Sequence, residues 1–433
     1  MQLERLTAED LANLGGPAAV ARHLRALVPS GAAVEAEVRE ITERVRAQGD
    51  QAVLELTRRL DTGGAPPPPL LVAAPELDEA IKRLPLELVA GLQVAIANVA
   101  EVAQAGAGAD QLVALPQGQR VTVREVPVAR AAVYVPGGRA PYPSTVVMGV
   151  VAARAAGVLD VAVCSPPGSD REIDTAVLGT CRLCGIERVY RMGGAQAIAA
   201  LAFGTETVQR ADVVVGPGNL YVQEAKRLLS ASIGSEGYAG PSDLLVVLGA
   251  HAGAHEVRLA ALDLLAQGEH GEGSIVVGVT CGARVGDELA GSLEALAREQ
   301  SDRSGAHFAL VEVSDEHQAL ALANDFAPEH LQLIGDEVEI LSPRATAAGC
   351  VFVGACSATA FGDYVAGSNH ILPTAGAARF GSGLSPHHFR RRVAEVHIDE
   401  RAAAKLAGAG VPIARAEGFE WHARSMEARI GDN

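Results

Sequence analysis

The sequence predicts an α/β protein: two Rossmann-like, incomplete parallel-sheet domains with helical N- and C-terminal extensions. Three observations carry this. From about residue 121 short apolar runs, glycine turns and small-residue helical stretches follow one another repeatedly. The chain is 48% apolar but only 3% aromatic, with Ala, Val and Leu dominant, which suits buried parallel strands covered by small-residue helices. Its 433 residues exceed what one core usually serves.

Residues 1 to about 60 read as polar-faced helices, and Gly63-Gly64-Ala65 with Pro66 to Pro69 form a stiff loop after them. A strand is expected over 131–135, ending in Pro136-Gly137-Gly138, then a helix over about 146–156 and a strand over 161–164. Residues 188–192 form another expected strand, turned by Gly193-Gly194 into a helix starting near Ala195. Residues 211–215 repeat the plan, with Gly216-Pro217-Gly218-Asn219 opening a helix to Leu229. A second block starts at 244–248 and continues through apolar runs at 275–279, 308–313 and 351–353. Strands alternating with helices imply right-handed crossovers and a mostly parallel sheet. From about 385 the tail is rich in Arg, Ala and Glu and reads as helices without a matching sheet.

A formal charge of −16 argues against nucleic acid as a partner, because phosphate contacts need clustered Lys and Arg. Met1-Gln2-Leu3-Glu4 opens no basic-then-apolar leader, and the long apolar stretch 145–164 is broken by Arg154 and Asp160. A soluble, cytoplasmic chain without membrane contact is expected. Six cysteines in a chain this long form no disulfide framework. Cys181 and Cys184 have the spacing of a metal or redox pair, but no second pair accompanies them, so they read as helix cysteines packed in a core.

The glycine turns matter because a helix N-terminus offers free N–H groups and a positive dipole end to anions. Neither turn is the G-x-G-x-x-G fingerprint, and on spacing alone both read as ordinary tight turns. Gln267-Gly268-Glu269-His270 and Asp363, with Glu329-His330 between them and Glu417 and His422 near the C-terminus, supply imidazole, carboxylate and amide oxygen donors for a divalent metal such as zinc. Gln267 and His270 end a stretch read as helical from Glu256, where a spacing of three shares a face. Such a pair alone also fits ordinary surface groups, and Asp363 beside Gly362 also fits a turn. Glu329 and His330 follow Pro328, which favours the first turn of a helix. There they read either as bases working near neutral pH or as a helix-serving carboxylate beside a packed imidazole.

Taken in order, the motifs resemble those of the L-histidinol dehydrogenase family. They are Val133-Tyr134-Val135-Pro136-Gly137-Gly138, Gly193-Gly194-Ala195-Gln196-Ala197, Gly216-Pro217-Gly218-Asn219, Ala239-Gly240-Pro241-Ser242 and Gln267 to His270. Then come Ala327-Pro328-Glu329-His330-Leu331, Gly362-Asp363-Tyr364, Ala366-Gly367-Ser368-Asn369-His370, and Glu417-Gly418 with His422. The resemblance runs from about Val121 to His422 and is looser in the N-terminal helices.

The resemblance implies a homodimer with a shared active site that oxidises L-histidinol to L-histidine with NAD and Zn²⁺. Gln267, His270, Asp363 and the partner subunit's His422 would hold zinc. Tyr134, Gln196 and Asn219 would contact NAD. Ser242, Gln267, His270, His330, Asp363, Glu417 and His422 would contact substrate, with His330 the principal base and Glu329 activating water in the second step. It also implies a division into 1–30 as a helical extension, 31–115 plus 243–380 as the zinc-bearing domain, 116–242 as the NAD-binding domain, and 381–433 as a domain-swapped tail. Related zinc dehydrogenases acting on other polar alcohols, sulfonated diols included, would not need Glu417 and His422. Two positions depart from the family pattern: Gly268 stands where Ala is usual, and Asp243 where Glu is usual.

Overall fold

The computed structural model describes residues 3–28, 31–137, 140–271, 273–299 and 305–430; Gly138 of the first glycine turn lies outside them. Two parallel sheets organise the chain. The larger has six strands in the order Leu3–Leu6, His307–Val313, Ile275–Cys281, Asp243–Leu248, His330–Ile334, Cys350–Val353. The smaller has four, in the order Arg188–Arg191, Asp160–Ser165, Arg130–Tyr134, Val213–Val215. Neighbouring strands in both run parallel. Every residue of Asp243–Leu248 and Ile275–Cys281 is buried, which is why these segments read as continuous Val, Leu and Ile runs rather than alternating ones.

Several expectations need correcting. Leu3–Leu6 is a strand, pairing in parallel with His307–Val313. The following helix Pro17–Arg25 packs Val20, Ala21 and Leu24 into one cluster with Val277, Val311 and Phe326. The first residues therefore complete the larger sheet and form no separate helical extension. Residues 31–115, expected beside the larger sheet, cover the smaller one. Val38, Val45, Val53 and Leu56, from helices Glu35–Gln48 and Asp50–Leu60, join Tyr134, Cys164 and Ile198. Leu77, Leu92 and Val99, from helices Ala74–Arg83 and Leu86–Ala105, join Val133, Val146 and Val177. An amphipathic helix declares that it has a buried face but not which sheet that face meets.

The tail is not purely helical. Arg390–His397 pairs antiparallel with Arg120–Pro127, which pairs antiparallel with Gln111–Ala114. A boundary at 116 would cut this three-stranded sheet in two. Beyond it, helices Glu400–Ala416 and Glu420–Glu427 bury Ala407, Val411, Ala414 and Ala423 in a cluster of their own. Among the described residues one helix, the 20-residue Leu86–Ala105, is long and apolar enough to cross a membrane by length and composition. Its buried residues Leu92, Ala95 and Val99 face the core around the smaller sheet.

All six cysteines are free. Cys181 is fully buried in helix Thr175–Leu183 and Cys184 caps that helix, half-buried, as a core role requires.

Candidate active site

The segment Ala327-Pro328-Glu329-His330 lies between a helix and a strand. Helix Glu316–Phe326 ends at Ala327, whose φ of +51° is left-handed. His330 then opens strand His330–Ile334, pairing with Leu244 on one side and Cys350 on the other. The helical first turn expected here is absent, because sheet pairing on both sides claims the backbone. The electrostatics of the pair therefore come from burial and neighbours rather than from a helix dipole.

Glu329 and His330 are 6% and 2% exposed. The Glu329 carboxylate accepts from Ser242 Oγ and, at 3.0 Å, from the Asp243 N–H. Gln267 Nε2 donates to Ser242 Oγ at 2.5 Å, so amide, hydroxyl and carboxylate form one chain. His330 Nε2 lies 3.5 Å from Asp363 Oδ1 and its Nδ1 lies 3.7 Å from Glu329 Oε2. Nδ1 is buried without a hydrogen-bond partner. Burial pushes the Glu329 carboxyl well above the usual carboxylate range, against the opposing pull of His330. Burial works against the His330 imidazolium, but Glu329 and Asp363 outweigh it and the net shift is upward. Asp363 is also raised by burial, yet its contacts with His330 leave it lowered and ionised. Glu329 is thus pushed up to about 7 and His330 to about 9, so two adjacent buried groups compete for protons, the coupling that acid–base catalysis can use.

The candidate metal donors differ in the bonds they already make. Gln267, 2% exposed, spends its NH₂ on Ser242, leaving its amide oxygen free. His270, in the turn after helix Ala254–Gly268, has Nδ1 3.1 Å from Gln267 O. That bond sets Nδ1 as the donor and leaves the Nε2 lone pair for a cation. Asp363, on the short helix Thr359–Tyr364, has His330, His370 and His270 as the neighbours that pull its carboxyl down against burial. Amide oxygen, imidazole and carboxylate fit an open zinc site with room for a fourth donor. Among the described residues no group of three or more His, Cys, Asp or Glu is placed to hold a metal; here one of the donors is an amide. Glu417 and His422 are not brought to this centre. Both are exposed in the tail, where the His422 ring packs 5.1 Å from that of Phe419.

In the smaller sheet the strand order reverses between Arg130–Tyr134 and Val213–Val215, the point where open α/β sheets bind ligands beyond the carboxyl ends of their strands. A cavity of about 470 Å³ lies there, lined by Tyr134, Gly137, Gly194, Gln196, Asn219 and Asp61 among others. Gly194 N–H donates to Tyr134 Oη at 3.2 Å. Asn219 caps helix Leu220–Leu228 through its Oδ1, which leaves its NH₂ free. Gln196 is 1% exposed, and its Oε1 is buried without a partner. Gly216, at φ +125°, has no room for a side chain, since a Cβ would sit 2.0 Å from Tyr134 O. The turn is a glycine turn because two backbones touch at the cleft.

Two residues of these sites were given no role by the sequence reading. Asp61 reaches the cleft from the end of helix Asp50–Leu60, where no spacing signal marks it, and accepts from Gln196 Nε2 at 3.4 Å. His370 has Nδ1 2.8 Å from Asp363 O and Nε2 3.3 Å from Thr145 Oγ1, so it braces the Asp363 backbone against the smaller sheet's helix Pro143–Ala155. The Asn369-His370 dipeptide was the available signal.

A family profile for histidinol dehydrogenases matches residues 28–430. The chain belongs to the histidinol dehydrogenase family. A histidinol dehydrogenase from Prochlorococcus marinus (strain MIT 9313) is 41% identical over 401 residues, covering 91% of this chain and 90% of that one. One from Parasynechococcus marenigrum (strain WH8102) is 40% identical over 403 residues, covering 92% and 91%. The crystal structure of histidinol dehydrogenase from Elizabethkingia anophelis superposes with a TM-score of 0.89 at 28% identity, covering 99% of this chain and 98% of that one. As a histidinol dehydrogenase, the chain is an oxidoreductase of histidine biosynthesis, with the α/β fold of that structure.

Both departures from the family pattern have local counterparts. A Cβ at Gly268 would meet Phe308 Cζ at 2.8 Å, so the ring occupies the space a methyl would need. Asp243, 1% exposed, is met by Arg25 at 2.6 Å.

Proposed function

We propose that this histidinol dehydrogenase carries out an NAD-dependent, four-electron oxidation of L-histidinol to L-histidine through a bound aldehyde, on zinc held by Gln267, His270, Asp363 and His422 of the partner subunit. The observation that carries the reading is the buried Glu329–His330 pair within reach of Ser242, Gln267 and Asp363. Zinc bound there would hold the imidazole and amino nitrogens of the substrate, and NAD in the Tyr134–Gln196–Asn219 cleft would accept hydride.

His330 takes the hydroxyl proton of the alcohol at a ring nitrogen, and the neighbouring carboxylates stabilise the imidazolium that results. Glu329 accepts a proton from the water that adds to the aldehyde. Its raised affinity for that proton comes from burial, and Ser242 Oγ and Asp243 N–H keep its carboxylate oriented. Gln267 and Ser242 couple the metal donors to this base, so positioning and proton transfer share one hydrogen-bonded chain. Tail residues Glu417 and His422, with Trp421 at 79% and Ile413 at 61% exposure beside them, suit a segment that covers a second subunit.

The test is stoichiometry. With L-histidinol, NAD and Zn²⁺ the protein yields two NADH per alcohol, and chelation abolishes turnover until Zn²⁺ is returned. Glu329→Gln slows the aldehyde-to-acid half by about 10²- to 10⁴-fold and the alcohol half less. One NADH per alcohol with free aldehyde from the wild type would point to a simple alcohol dehydrogenase instead.

A further inference from the structure

We infer that Arg25 and Asp243 form a positioning clamp that sets Glu329 for the hydration step; this rests on the role of Glu329 proposed above. Neither residue hydrogen-bonds Gln267, His270 or Asp363 or lines the Tyr134–Gln196–Asn219 cleft, yet together they hold the Phe326 and Ala327 carbonyls and the Glu329 N–H.

Asp243 Oδ1 accepts the Glu329 N–H at 2.6 Å, while the Asp243 N–H donates to Glu329 Oε2 at 3.0 Å. The two residues therefore exchange hydrogen bonds, fixing backbone and carboxylate of Glu329 at once. Arg25 grips Asp243 with both terminal nitrogens, Nη1 to Oδ2 at 2.6 Å and Nη2 to Oδ1 at 3.3 Å. The same guanidinium donates to Phe326 O at 3.1 and 2.8 Å and to Ala327 O at 3.0 Å, and lies 3.6 Å over the Phe326 ring. Ala375 N–H adds a 3.3 Å bond to Asp243 Oδ2.

This planar fork suits arginine and not lysine, since carboxylate and two helix-end carbonyls are met together. It also stabilises Ala327, whose φ of +51° is uncommon for a residue with a Cβ. The clamp is anchored on the core side, because Arg25 ends a helix whose Val20, Ala21 and Leu24 are buried. His330 depends on it less. Its backbone is held by strand pairing with Leu244 and Cys350. Loosening the clamp thus displaces Glu329 while leaving His330 in register, which separates the two oxidation steps.

A cavity of about 480 Å³ borders Arg25, Asp243, Tyr238, Thr374 and Arg379. It gives a small cation a way to the clamp once the arginine side chain is removed.

The experiment uses the whole chain as an active enzyme and its Arg25→Ala and Arg25→Lys variants. In Arg25→Ala, oxidation of L-histidinaldehyde slows about tenfold to a hundredfold at unchanged KM, while the first hydride transfer from L-histidinol stays within about threefold. Millimolar guanidinium restores the aldehyde step and tetramethylammonium does not. Arg25→Lys, keeping charge without the fork, gives a smaller loss of the same step and covers the case in which Arg25→Ala does not fold. Amide exchange at Glu329, whose N–H is held by Asp243, accelerates in both variants. Equal loss of both steps, no rescue by guanidinium, or unchanged exchange at Glu329 each overturns the clamp. Wild-type protein that makes no NADH from L-histidinol overturns the proposed function instead, and the exchange measurement still decides the clamp.

Discussion

Gly268 and Phe308 share one steric slot: a Cβ on the glycine would lie 2.8 Å from the ring carbon Cζ. Phe308 is 3% exposed in strand His307–Val313 and cannot swing into solvent without opening the core. Gly268 ends the helix that presents Gln267, two residues before His270. The ring and the missing methyl therefore jointly set where Gln267 and His270, the two proposed metal donors, stand.

Adding the methyl back is expected to destabilise. Gly268→Ala overpacks the slot at a cost of about 1–3 kcal/mol, more than the roughly 1 kcal/mol alanine gains by helix propensity. Gly268→Ala with Phe308→Leu recovers most of the loss. Denaturant melts of the three proteins check this. A neutral single mutant would mean that the ring yields freely.

The placement of His422, exposed in the tail against Phe419, predicts complementation. If His422 serves its partner's site, His422→Ala and His270→Ala subunits refolded together form heterodimers with one doubly defective site and one intact site. Activity then rises to a fraction of wild type, while either variant alone stays inactive. Heterodimers without recovery would show that the site is not shared.

Asp61 predicts a pH-dependent cost. Burial raises its carboxyl to about 6, above the unfolded value of about 4. The folded state thus binds more protons than the unfolded one between pH 4 and about 6, and stability falls as pH rises through that window. The penalty, about 2–3 kcal/mol, is fully present above the folded pKa and absent below the unfolded one. Asp61→Asn removes it, so the melting temperature of the variant gains on the wild type from pH 4 to 7. A difference that does not change with pH would show that Asp61 ionises freely in the folded state.

Much of this is legible in the sequence. Parallel strands buried on both faces leave runs such as Leu244 to Leu248 and Val276 to Val279, and chain turns at Gly193-Gly194 and Gly216 mark where strands hand over to helices. The residue types at Gln267, His270, Glu329, His330 and Asp363 carry their donor chemistry with them wherever they sit. Those properties are local, and a linear chain displays them.

What only the tertiary structure decided is non-local. It placed residues 31–115 on the smaller sheet, turned an expected helix start at Glu329–His330 into a strand start, and sent Arg25 from the first helices to Asp243. It also gave Arg390–His397 a strand partner more than 250 residues earlier, at Arg120–Pro127. Each outcome depends on which complementary surface or unpaired backbone edge a segment meets once the chain is compact. Two amphipathic segments with the same pattern carry no label for their partner, so the sequence by itself determined the elements and the chemistry, and packing decided which of them meet.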